Sequence, residues 1–111
     1  MSLSRLCRLD EIAEPGSRGF RLGSGSSSRA LFVVRHGGRV VAYENVCPHV
    51  GSPLDWVPDR FLDIERRFIL CATHGALFRI EDGHCVEGPC AGKGLTPVPI
   101  LVEGGEVYLE E

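Results

Sequence analysis

Several features that would settle a protein's class are missing from this chain of 111 residues. No stretch approaches the roughly 20 consecutive apolar residues that a membrane-spanning helix needs. The opening segment MSLSRLCRLDEIAE has no apolar signal core, so a cytoplasmic protein is expected. There is no basic run and the net charge is −3, which leaves nucleic-acid binding without electrostatic support. Aromatic residues are sparse at 7%, with a single Trp, so large aromatic surfaces are not available. No segment of about ten residues keeps a 3.6-residue apolar period, which argues against long amphipathic helices. Cysteine is not scarce, but its number is odd. Five cysteines in a reducing compartment point to metal ligation or buried thiols rather than a disulfide framework.

What the chain has in quantity is turn-forming residues, 14 Gly and 7 Pro, which predict many turns and short strands. Apolar residues make up 43% and charged residues 24%, the profile of a globular protein, and the length suits one domain over 1–111. Strands are predicted over residues 6–12, 19–22, 30–35 and 39–44, the last two joined at His36-Gly37-Gly38. Residues 68–70 form a short apolar strand that leads directly into Cys71. Further strands are expected over 76–80 and 84–87 around Glu81-Asp82-Gly83, and over 98–102 and 106–109 around Gly104-Gly105. Residues 23–28 read as a flexible Gly/Ser loop tip. Residues 55–67 mix aromatics and charges and read as a loop with a helical turn or short strand near 61–64. The fold class is all-β, built from hairpins without an internal repeat.

The chemistry is concentrated in Cys47-Pro48-His49-Val50-Gly51 and Cys71-Ala72-Thr73-His74-Gly75. They read C-x-H, then 21 intervening residues, then C-x-x-H. Each half offers one thiolate and one imidazole, and two thiolates on one iron with two imidazoles on the other is Rieske-type [2Fe–2S] ligation. Proline and glycine beside the ligands suit tight loops that aim two side chains at one small object. A Cys₂His₂ zinc site uses the same donors, but zinc fingers pair Cys with Cys and His with His, whereas each half here mixes them. Visible colour and a rhombic EPR signal on reduction separate the two.

CPHVGSPLD and CATHGALF resemble the two cluster loops of Rieske ferredoxins, the electron-transfer components of bacterial ring-hydroxylating dioxygenases. DGHCVEGPCAGKGL resembles the segment that runs to their third, proline-bearing loop, and PVPILVEGGEVYL resembles their closing hairpin. The resemblance covers about residues 40–109. It implies stacked antiparallel sheets with a small cluster-binding subdomain over about 45–91. It implies one cluster per chain, with Cys47 and Cys71 on one iron and His49 and His74 on the other through Nδ1. Val50, Gly51, Gly75, Ala76, Leu77, Phe78, Gly88 and Pro89 would surround or cover that cluster. The implied function is a one-electron shuttle rather than an enzyme. A flavin-dependent reductase would load it and an oxygenase or other redox enzyme would unload it, through an exposed tip formed by His49 and His74. The alternative within the family is a small subunit of a reductase of the nitrite reductase type. A freely soluble monomer is the expectation, with no nucleic acid or membrane partner.

Other residues have plainer readings. Cys85 and Cys90, on either side of Gly88-Pro89, are expected to be small buried thiols near the cluster cover rather than extra ligands or a disulfide. Cys7 is expected to be a strand residue, and His36 and His84 to be solvated. Trp56 and Phe61 suit either a docking surface or a packing role. The inter-ligand segment is a few residues longer than is typical of the ferredoxins the chain resembles.

Two ferric ions, two sulfides and two thiolates sum to zero charge, so adding an electron is easier than in an all-cysteine cluster. High-potential relatives carry an extra cysteine in each cluster loop, where this chain has Ser52 and Thr73. They also place a serine and a tyrosine hydroxyl near sulfur, where this chain has Ala76 and Phe78. Fewer hydrogen bonds to sulfur leave the reduced state less stabilised. The expected potential is roughly −150 mV, the low end of the Rieske range, and a redox titration placing it above about +100 mV would contradict that expectation.

Overall fold

The computed structural model describes residues 3–23, 29–48, 54, 59–72, 75–88 and 92–110. Nine strands follow one another among them: β1 Leu3–Arg8, β2 Gly16–Leu22, β3 Arg29–His36, β4 Arg39–Glu44, β5 Phe68–Cys71, β6 Ala76–Arg79, β7 Cys85–Glu87, β8 Ile100–Glu103 and β9 Glu106–Glu110. They form three antiparallel sheets, ordered β1-β9-β8, β2-β3-β4 and β5-β6-β7. The all-β expectation therefore holds for the described residues. No helix among them is long and apolar enough to cross a membrane.

Turn chemistry sets the hairpins. Gly37 and Gly38 have φ of 60° and 77° between the paired His36 and Arg39, two successive positive values that side chains resist and glycine accepts. The first strand differs from its prediction. It stops at Arg8, and Leu9–Glu11 form a 3-10 turn. The cause is Glu11, whose carboxylate accepts the Arg8 amide at 2.8 Å while Ile12 N–H donates to the Leu9 carbonyl at 3.1 Å. Ile12 is then buried beyond the turn rather than within the strand.

The middle sheet is shared by two cores. Along β3, Leu31, Phe32, Val33 and Val34 are all fully buried. Alternation sends Leu31 and Val33 to one face, where they join Cys7, Ile12, Ala42, Val98, Val107 and Leu109. Phe32 and Val34 go to the other face and join Tyr43, Phe61, Ile69 and Phe78. An unbroken apolar run is what a strand covered on both faces requires. Tyr43 fastens the middle sheet to the third. Its hydroxyl donates to the Ile80 carbonyl at 2.7 Å, and its ring lies where a Cβ on Gly83 would meet it at 2.7 Å. Burial, reinforced by Asp82 and Glu81, pushes the phenol up to about 12.

Residues 59–67, ambiguous in sequence, are stitched to the middle sheet. Gly19 N–H donates to Asp59 Oδ1 at 2.8 Å, and Ser17 Oγ donates to the Asp59 carbonyl at 2.7 Å. Leu62 bridges Ile69, and Leu70 N–H donates to the Phe61 carbonyl at 2.8 Å, so a one-residue strand lies beside β5. Phe61 is fully buried and stacks on Phe32, with centroids 4.3 Å apart and planes 6° from parallel. This settles Phe61 as a packing residue; Trp56 lies outside the described residues. Asp63 Oδ1 accepts the amides of Arg67 and Phe68 and closes the turn that carries Ile64, which is 99% exposed. Phe61→Ala is expected to lower unfolding free energy by about 3–5 kcal/mol, seen as a lower denaturant midpoint at unchanged slope.

Candidate metal centre

Two backbone routes converge on the predicted site. At the end of β4, Glu44 N–H donates to the Thr96 carbonyl at 2.9 Å and Asn45 N–H to the Ala30 carbonyl at 3.0 Å. The chain thus leaves the middle sheet held from both sides, and Cys47 follows two residues later, fully buried. The second route is β5, whose last residue is Cys71, also fully buried and paired with Ala76 on β6. Gly75 N–H donates back to the Cys71 carbonyl at 2.8 Å, and Gly75 takes φ of 69° to close that loop. Both cysteines belong to the same buried cluster as Leu54, Ile69, Ala76 and Phe78, and neither is in a disulfide. Leu54, Ile69, Ala76 and Phe78 give that cluster hydrocarbon walls. A pair of thiols surrounded by apolar atoms is a donor set suited to a soft metal centre.

Of the remaining predicted residues, Ala76 and Phe78 are buried on β6, Leu77 between them is half-buried, and Gly75 is exposed. His49, Val50, Gly51, His74 and Pro89 lie outside the described residues, as do Ser52 and Thr73.

A third segment approaches from β7. Gly88 has φ of 107°, and a Cβ there would sit 2.8 Å from Ala76 Cα. The expected cover thus begins in close backbone contact with the strand that follows the second ligand loop. Its base is closed by a short ladder. Cys85 N–H donates to the Lys93 carbonyl and Leu95 N–H to the Gly83 carbonyl, both at 2.9 Å, and His84 bridges Gly94. Beside it, the β6–β7 turn is fixed by charge. Arg79 donates to the Asp82 carboxylate, which also accepts the His84 amide at 2.9 Å. The hydrogen bond from Arg79, with help from His84 N–H, holds that carboxyl below its ordinary value.

One expectation is corrected. Cys85 is buried, but it is disulfide-bonded rather than a thiol. Its partner lies outside the described residues. Cys7 is a buried strand residue as expected, and burial pushes its thiol up. His84 is exposed, whereas His36 is partly buried at its turn.

Sequence reasoning missed Asn45 and Leu54. Leu54 N–H donates to Asn45 Oδ1 at 2.8 Å, and Ala72 N–H donates to the Leu54 carbonyl at 2.9 Å. Asn45 lies before the CPHVGSPLD motif, and Leu54 lies within it without a chemical group that marks its role. Also missed were Val46 and Val86, which expose apolar surface of 45% and 44% beside Cys47 and beside the start of the cover. A cleft of about 490 Å³ between residues 13–17 and 59–66 includes neither cysteine and lies outside this centre.

The Rieske [2Fe–2S] domain family matches residues 3–102, and the chain belongs to that family. Its cofactor is accordingly a [2Fe–2S] cluster. Among relatives, it is 28% identical to the ferredoxin component of the alkene monooxygenase system of Xanthobacter autotrophicus, over 94% of this chain and 77% of that protein. It is 30% identical to the cytochrome b6-f complex iron-sulfur subunit of Chlorobaculum tepidum over 71% of this chain, which spans 39% of that subunit's length. In structure it is similar to the ferredoxin of carbazole 1,9a-dioxygenase from Nocardioides aromaticivorans IC177. The TM-score is 0.76 at 24% identity, covering 98% of this chain and 97% of that one.

Glycine replacements should separate a backbone cost from a packing cost. Gly75→Ala meets nothing within 4 Å and pays for its positive φ alone, about 1–2 kcal/mol. Gly88→Ala adds a collision with Ala76 and is expected to lower the thermal midpoint further than Gly75→Ala does.

Proposed function

We propose that Cys47, His49, Cys71 and His74 hold the [2Fe–2S] cluster and that the protein is a one-electron carrier. On this reading it passes electrons from a flavin-dependent reductase to an oxygenase. The observation that supports it most directly is the placement of Cys47 and Cys71, fully buried in one apolar cluster at the ends of β4 and β5. Each begins a short segment whose next ligand candidate is a histidine two or three residues on. The relationship to the alkene monooxygenase ferredoxin component supports an oxygenase as the recipient.

When bound, the cluster supplies a site that gains and loses one electron. The chain's own residues do the rest. Cys47 and Cys71, as thiolates, anchor the inner iron where Leu54, Ala76 and Phe78 exclude water. His49 and His74 hold the outer iron and form the tip that meets a partner. Val46 and Val86, neighbours in sequence of Cys47 and of the start of the cover, leave a small apolar surface exposed. A patch of that size suits a weak encounter that releases its partner after each transfer.

His49→Cys and His74→Cys test the ligand set. Each should abolish the rhombic EPR signal of the wild-type protein and lower its potential, because a thiolate replaces a neutral ligand. A signal left unchanged by either substitution would show that the replaced histidine is not a ligand. Zinc in place of iron would be revealed by a colourless, EPR-silent wild type.

A further inference from the structure

We infer that Asn45 is a positioning residue that fixes the separation between the two cluster loops, acting through the buried peptide of Leu54. The inference rests on the ligand reading above and goes beyond it. Leu54 is fully buried, and both of its backbone polar groups are spent on the two loops. Its N–H donates to Asn45 Oδ1 at 2.8 Å, two residues before Cys47. Its carbonyl accepts Ala72 N–H at 2.9 Å, the residue after Cys71. The backbone of one residue, through its N–H and its carbonyl, therefore spans from the root of the first loop to the start of the second.

Both ends of this bridge are themselves anchored. Asn45 N–H donates to the Ala30 carbonyl on β3, so the carboxamide projects from a residue that is part of the middle sheet's edge. Ala72 follows directly from β5, and the Cys71 carbonyl is held by Gly75 N–H. Position along the chain does not bring Cys47 and Cys71 together, because they are far apart in sequence and Cys47 follows the middle sheet whereas Cys71 ends β5 of the third. The link from Asn45 through Leu54 to Ala72 connects those sheets beside the thiols. Without the Asn45 oxygen, the buried Leu54 N–H loses its acceptor, and the loop must move to find another. The first loop would then no longer be held at a fixed distance from the second. Hydrogen bonds that orient ligands from outside the ligand set commonly change metal retention by about 10–100-fold.

The requirement is for an acceptor at this place, not for an amide as such. Asn45→Asp keeps an oxygen at the same reach, whereas Asn45→Ala removes it. The test compares cluster loss in both variants with the wild type, by decay of visible absorbance in the presence of an iron chelator, together with EPR g-values. Asn45→Ala should lose the cluster at least about tenfold faster, with shifted g-values, and Asn45→Asp should remain near the wild-type rate. Wild-type retention and unchanged g-values in Asn45→Ala would overturn the inference while leaving the ligand reading intact. Equal loss in Asn45→Asp and Asn45→Ala would also overturn it, since the acceptor would then not be what matters. If Asn45→Ala does not fold, a folded Asn45→Asp with wild-type retention supports the inference and one without it refutes it. A wild type lacking the Rieske signal would remove the ligand reading and this inference together.

Discussion

The structure depends on β3 being covered on both faces. Leu31 and Val33 commit one face of the middle sheet to β1, β8 and β9, and Phe32 and Val34 commit the other to Phe61 and the third sheet. A one-residue slip of β3 would exchange these sets between two cores of different shape, so register is specified from both sides at once. The ligand roots inherit that precision. Asn45 is hydrogen-bonded to β3, and Phe61, stacked on Phe32, passes its carbonyl to β5 just before Cys71. The metal centre is therefore built on the most constrained strand in the chain, although no ligand candidate belongs to it.

The longer inter-ligand segment is part of that arrangement. Asp59, Phe61 and Leu62 occupy the space between β2 and β5 with hydrogen bonds and a stacked ring. Its apolar side faces inward, and its tip presents Ile64 to solvent away from both cysteines. Residues 59–67 thus act as a brace between β2 and β5.

Much of this was legible beforehand because it rests on local chemistry. Gly37-Gly38 and Gly104-Gly105 announce their turns through the conformations that glycine permits. The run from Leu31 to Val34 announces a strand, and the Cys-x-His and Cys-x-x-His spacing announces a centre. What escaped was set by partners distant in sequence. The end of β1 depends on a Glu11 carboxylate folding back, and Phe61 had two equal readings until Phe32 and Gly19 were placed beside it. Asn45 has no sequence signal of its role, because its partner is the backbone N–H of Leu54, nine residues on, and a backbone group leaves no mark in the residue pattern. The bonded state of Cys85 is encoded neither by composition nor by an odd cysteine count.

The ladder that pairs Cys85 with Lys93 and Gly83 with Leu95 has a consequence for how such proteins diversify. It fixes where the covering arm leaves the body and where it rejoins, independent of what lies between. Closing a longer loop on a fixed base costs only about 0.6 kcal/mol for each doubling of its length. The paired ends would hold through a change in the arm's length, whereas the Gly88 contact with Ala76 and the Cys85 bond restrict what that change can be.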